Sequence, residues 1–185
     1  AFMKYTLLSI HSLVKHASKN RKYKIYILNS GVSEDSKKMV EPYDSENVEI
    51  EFVDVKDQLL KIKLDLPIRD YYSKTTYFRL FIANMYPKYD KAIYIDSDTV
   101  VNADISMLYD VDLRDNLVGA CHEQAMVQTE VFGNYVEKVM GISRNDYFNA
   151  GVLLINCEKF RRENVLGQFI ELLGVYTFSV TQDKD

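Results

Sequence analysis

Asp96 and Asp98 stand one residue apart in KAIYIDSDTVV, residues 91–101, directly after an apolar run. In an extended segment, residues i and i+2 point to the same side, about 6–7 Å apart along the chain. Two carboxylates so placed repel one another, more strongly where water is excluded, unless a counter-charge lies nearby. A hard divalent cation would serve, since Mg²⁺ and Mn²⁺ favour oxygen ligands and keep waters or substrate phosphates at their other positions. It would also neutralise a diphosphate, which leaves readily only when its growing negative charge is stabilised. The plainer alternative is a pair of surface-loop residues capping the next turn. D-x-D alone is common; its place at a strand end favours the metal reading.

The elements that must hold this pair can be read from periodicity. Met3, Leu7, Ile10 and Val14 recur at helical spacing, and YKIYILN, residues 23–29, is a short β-rich run. A polar helix is expected from about Glu34 to Tyr43. VEIEFVDV, residues 48–55, alternates apolar and acidic residues like a strand with a solvated face or near a sheet edge. Lys56 to Tyr72 shows no clear pattern. Phe78, Phe81, Ile82 and Met85 then define a helix that Pro87 closes, and the strand AIYI follows. NLVGAC (116–121) and AGVLLI (150–155) read as strands; Phe132, Val136, Val139 and Met140 mark a helix between them. Leu166, Phe169, Ile170 and Leu173 mark a last helix. Helices alternating with apolar strands predict an α/β fold, with a mostly parallel central sheet covered by helices on both faces. Ligands of such sheets bind outside the carboxyl ends of the strands, where Asp96 and Asp98 fall. Asn149 would enter a strand beside the same crevice.

Composition narrows the function. The 185 residues read as one domain, without repeats or low-complexity tracts. A net charge of -4 argues against a nucleic-acid partner, because phosphate contacts demand a basic face. The basic run KHASKNRKYK, residues 15–24, reads as a solvated turn, with peripheral contact to an anionic membrane as the weaker alternative. Cys121 and Cys157 make no disulfide framework; beside apolar runs, each is expected to be a small buried hydrophobe in a reducing compartment. No apolar run reaches the roughly 18 residues of a membrane span, and no signal peptide is visible, although the chain begins at Ala1 already inside a helical pattern. The expected location is cytoplasmic, with the inner face of the membrane as a variant. A homo-oligomer stays open.

Three readings compete for the aspartate pair. An EF-hand loop counted from Asp96 would need Gly and Glu where Val101 and Met107 stand, so it fails. DSDTVV matches the D-x-D-x-[TV]-[LV] pattern of haloacid-dehalogenase-like phosphatases, with Asp96 as nucleophile and Asp98 as acid/base. That motif normally follows a domain's first strand, whereas about ninety residues precede it here. The third reading is a resemblance. TTYFRLFIANMYPKYDKAIYIDSDTVV, followed by YFNAGVLLINCEKFR, resembles family 8 of the retaining glycosyltransferases, most strongly from about Ser73 to Arg162. That family includes glycogenin and bacterial enzymes of lipopolysaccharide biosynthesis.

The resemblance implies a Rossmann-like GT-A fold, Mn²⁺ (or Mg²⁺) as the ion, and UDP-glucose or UDP-galactose as donor to a saccharide or other hydroxyl acceptor. Asp96 and Asp98 match its metal- and diphosphate-binding pair, Ser97 a ribose-facing position, and Arg79 a donor-contacting basic residue. An exposed helix arginine in an ion pair is the plainer reading of Arg79. Glu123, in GACHE, falls where the family often has an aspartate contacting the sugar. Asn149, Ala150 and Gly151 match the donor-sugar motif; the small residues admit a ligand close to the backbone, and the amide can donate to and accept from hydroxyls. Asp183, Lys184 and Asp185 match the family's catalytic D-Q-D segment, with lysine in place of the usual glutamine. The family's first nucleotide-binding strand and its downstream metal-ligating histidine find no counterpart; His11 and His16 read as helix-surface residues, and His122 as cleft or structural. A non-catalytic sugar-nucleotide-binding protein is the further alternative.

Overall fold

The computed structural model describes residues 3–56 and 77–175. Its first unit is helix α1 (Met3–His16), strand β1 (Tyr23–Asn29), helix α2 (Glu34–Lys38), a 3-10 turn (Glu41–Tyr43) and strand β2 (Val48–Asp54). The expected helix to Tyr43 is split. Ser33 caps α2 by accepting from the Ser36 amide, and Pro42 can neither donate an amide nor fit against the preceding turn. β1 and β2 pair in parallel, from Tyr23 opposite Val48 to Asn29 opposite Asp54. Val48 is buried while Glu49 and Glu51 face solvent, as the alternation predicted, and Lys24 bridges both carboxylates.

The second unit follows: helix α3 (Phe78–Met85), strand β3 (Lys91–Ile95), helix α4 (Ser106–Tyr109), strand β4 (Val118–His122), helices α5 (Gln124–Gln128) and α6 (Glu130–Lys138), strand β5 (Phe148–Asn156), and helices α7 (Cys157–Arg162) and α8 (Val165–Val175). β5 lies between β3 and β4 and runs antiparallel to both. The α/β class holds, but the sheet content is mixed rather than mostly parallel among the described residues. The reason is physical: an unbroken apolar run reports burial on both faces, and says nothing of the neighbours' direction.

Leu153, Leu154 and Ile155 are consecutive and at most 6% exposed, so both faces of β5 are covered. Ala150, Leu153 and Ile155 pack with Ile82 and Ala83 of α3 and with Cys157 and Phe160 of α7. Arg161 on α7 donates to the carbonyls of Ala83 and Tyr89, both at 3.0 Å, tying the end of α3 to the entrance of β3. α3 stops as expected: Pro87 keeps Tyr86 out of the helical region, at φ -122° and ψ 66°. Cys157 is buried, and burial pushes its thiol up to about 11. Cys121 corrects the expectation, because it is exposed. Among the described residues β4 is an edge strand, exposed from Ala120 to His122, and its register against β5 shifts between Ala120 and Cys121.

Candidate active site

The aspartate pair sits where β3 ends. Ile95 is the last residue opposite β5, and the Asp96 amide then donates to the Gly151 carbonyl at 2.7 Å. The chain turns at once, with the Thr99 amide on the Asp96 carbonyl at 3.2 Å. Asp96 is half-buried, while Ser97 and Asp98 are exposed in the turn. The loop that follows is pinned from the first unit. The buried Ser12 hydroxyl donates to the Ser9 carbonyl at 2.8 Å and accepts the Val101 amide at 2.9 Å. Tyr23 donates to Asp104 at 2.7 Å, which holds that carboxyl below the usual carboxylate range.

Part of the counter-charge comes from α3. Arg79 belongs to the helix's buried face, and its side chain is only 9% exposed. Its Nη2 lies 3.4 Å from Asp96 Oδ1, and its Nη1 donates to the Ala150 carbonyl. The guanidinium also stands over the Tyr94 ring, 4.6 Å from its centroid. A buried guanidinium requires such partners, so the plainer reading of Arg79 as an exposed helix residue does not hold. Tyr94 donates from its hydroxyl to the same Asp96 oxygen at 2.5 Å. The signal for Tyr94 in the sequence is its place two residues before Asp96, on the same side of the strand.

The second motif meets the first at Gly151. A Cβ there would fall 2.9 Å from Asp96 Oδ2 and 3.0 Å from Asn149 Oδ1, so only glycine lets the two side chains approach. Asn149 accepts the Gly151 amide at 2.8 Å and donates to Glu123 Oε2 at 2.8 Å. Glu123 is buried; its other oxygen accepts the Ala125 amide, and its own amide donates to the Tyr147 carbonyl. Asn149 is thus committed on both ends of its amide, with one N–H and one acceptor site unused among the described residues. Arg79, Asp96, Glu123, Asn149, Ala150 and Gly151 form one connected network, with Ser97 and Asp98 on the adjoining turn. Asp183, Lys184 and Asp185 lie outside the described residues. His11 and His122 are exposed, and His16 Nδ1 is 2.8 Å from the Ser12 carbonyl; none joins the network.

A strand-end carboxylate pair, a buried arginine and a small-residue strand entrance thus meet at one end of the sheet of an α/β fold. The chain belongs to glycosyl transferase family 8, whose description matches residues 1–183. It is 30% identical over 185 residues to a putative glycosyltransferase of Haemophilus influenzae, covering 98% of this chain and 53% of that protein. It superposes on the galactosyltransferase LgtC in complex with donor and acceptor sugar analogues with a TM-score of 0.79 at 28% identity, over 99% of this chain and 64% of that one. The apo structure of the bifunctional glycosyltransferase WbbM gives a TM-score of 0.79 at 31% identity, over 93% of this chain and 33% of that one. The fold is therefore GT-A, and the chain spans about half the length of its Haemophilus influenzae relative. The haloacid-dehalogenase reading falls with this assignment; β3 is the third described strand, not the first.

Proposed function

We propose that the protein is a retaining hexosyltransferase that moves glucose or galactose from a UDP-sugar to an acceptor hydroxyl, with Mn²⁺ or Mg²⁺ held by Asp96 and Asp98. The observation that carries this reading is the junction of the two motifs, where the Asp96 amide bonds the Gly151 carbonyl and Arg79 bridges Asp96 to Ala150. The donor set suits a hard cation. Among the described residues Asp96 Oδ2 receives no hydrogen bond, Asp98 is exposed, and no group of three His, Cys, Asp or Glu side chains gathers. Two carboxylates leave positions for waters and diphosphate oxygens, as these ions prefer. A cation bound there would offset the negative charge growing on the departing UDP.

Each side chain then has a distinct task. Arg79 holds positive charge beside the leaving group and keeps Asp96 in place. Gly151 leaves room for the donor against the backbone, and Asn149, steadied by Glu123, offers its remaining N–H and acceptor site to a sugar hydroxyl. Both buried-network carboxylates are engaged, Asp96 by Tyr94 and Arg79 and Glu123 by Asn149 and the Ala125 amide. This supports positioning and electrostatics over a glycosyl-enzyme intermediate, with the acceptor attacking from the face that UDP leaves. Asp183, Lys184 and Asp185 complete the sugar site in this reading.

Donor turnover by the intact protein, with and without divalent ion, tests the proposal. Transfer or hydrolysis of UDP-glucose or UDP-galactose that stops with EDTA is the expected result. UDP binding with no turnover of either donor would leave a sugar-nucleotide-binding protein, the outcome that Lys184 makes worth testing.

A further inference from the structure

We propose that Tyr94 is a positioning residue of the metal site, fixing the Asp96 carboxylate so that Oδ2 is the oxygen it offers to the ion. The inference rests on the assignment of Asp96 as a ligand. Tyr94 and Asp96 are i and i+2 at the end of β3, so both side chains leave on one side of the sheet. The phenol donates to Oδ1 at 2.5 Å, and Arg79 Nη2 approaches the same oxygen at 3.4 Å. A carboxylate oxygen has two lone-pair sites, and these two donors occupy both on Oδ1. Among the described residues no donor is bonded to Oδ2. The bare Cα of Gly151 faces it, at a spot where a Cβ would come within 2.9 Å.

The phenol is itself held. Arg79 lies 4.6 Å from the Tyr94 ring centroid and is anchored at its far side by the Ala150 carbonyl. Arginine, ring and carboxylate thus form a closed triangle, each side of which limits the third member. With the hydroxyl removed, among the described residues only Arg79 Nη2, at 3.4 Å, still holds Oδ1, so the carboxylate turns more readily about its Cβ–Cγ bond and can present either oxygen. Groups that orient a metal ligand in this way alter metal affinity by about 10- to 100-fold. Phenylalanine keeps the ring and its stacking under Arg79, so Tyr94→Phe deletes the hydroxyl that donates to Asp96 while the ring stays in place.

The test is a Mn²⁺ titration of the intact protein, followed by the electron paramagnetic resonance of free Mn²⁺, alongside thermal unfolding. Tyr94→Phe should bind Mn²⁺ about tenfold or more weakly while unfolding near the temperature of the unaltered protein. Its kcat at saturating Mn²⁺ should recover most of the normal value. Tyr109→Phe serves as a control, since the Tyr109 hydroxyl donates to the Lys91 carbonyl at the far end of β3 and should leave Mn²⁺ affinity unchanged. Unchanged affinity in Tyr94→Phe, or a loss matched by Tyr109→Phe, overturns the proposal alone. If the unaltered protein binds no Mn²⁺, with or without UDP, the metal reading fails and the proposal with it.

Discussion

At one end of β5, Asp96, Arg79, Asn149 and Glu123 share hydrogen bonds yet, among the described residues, leave Asp96 Oδ2 and Asp98 open; at the other end two lysines are bound into the chain. There Lys159 donates to the Asp115 carbonyl and, at 2.8 Å, to its carboxylate, and stands 3.5 Å from Glu163. Lys91 donates to the carbonyls of Tyr109 and Val111 at 2.9 and 3.0 Å. Both lysines serve carbonyls or carboxylates of the chain itself, closing the loops between β3, β4 and α7. The site end spends part of its charge on holding a carboxylate still and, in the proposed function, keeps the rest for the ion and the donor. Partial satisfaction of a fixed group distinguishes a binding end from a stapling end, even though both are rich in charge.

Substitutions at the two ends should therefore fail in different ways. Asp96→Asn should have the largest effect, lowering divalent-dependent turnover by at least about 10²- to 10³-fold while the fold survives. Donor assays over a Mn²⁺ series with circular dichroism check both halves, and full activity would erase the distinction. Gly151→Ala should come next. Its methyl group must displace the Asp96 carboxylate or the Asn149 amide, at a cost of about 1–3 kcal/mol and a weakened donor interaction, read from thermal unfolding and the donor KM.

Lys159→Met should do the reverse. We expect a lower unfolding temperature from the lost tie to the Asp115 loop, with an unchanged donor KM; a raised KM would show that the two ends are coupled. The smallest effect concerns pH. The Lys159 ammonium holds the Asp115 carboxyl below its ordinary value, so this pairing stabilises the fold above about pH 4. The contribution is lost as pH falls through the depressed value. Asp115→Asn should accordingly unfold with less dependence on pH below about 4, in an acid titration followed by fluorescence. Asp115 is 93% exposed, so the change should be slight and should fade in high salt.

Much of this contrast was legible before any coordinates. The helical spacing of Phe78, Phe81, Ile82 and Met85 and the run AGVLLI located the elements that carry the site. The two motifs pointed to the residues that meet at Gly151. Strand direction was not legible, because burial on both faces yields the same apolar run in either orientation. Cys121 is exposed at a register shift in an edge strand, which no local pattern announces. For Tyr94 the spacing to Asp96 is local, but its place under Arg79 depends on α3 folding across. Long-range pairings of this kind belong to the tertiary structure, whereas periodicity reports only an element's own burial.

The central claim is that the open oxygens at the end of β3 await a divalent ion and a diphosphate. Calorimetric titration of UDP into the intact protein, first with Mn²⁺ and then with EDTA, tests it most directly. The account predicts binding that requires Mn²⁺ and disappears on chelation. Equal binding in both conditions, or none in either, would contradict it and return Asp96 and Asp98 to the role of a surface turn.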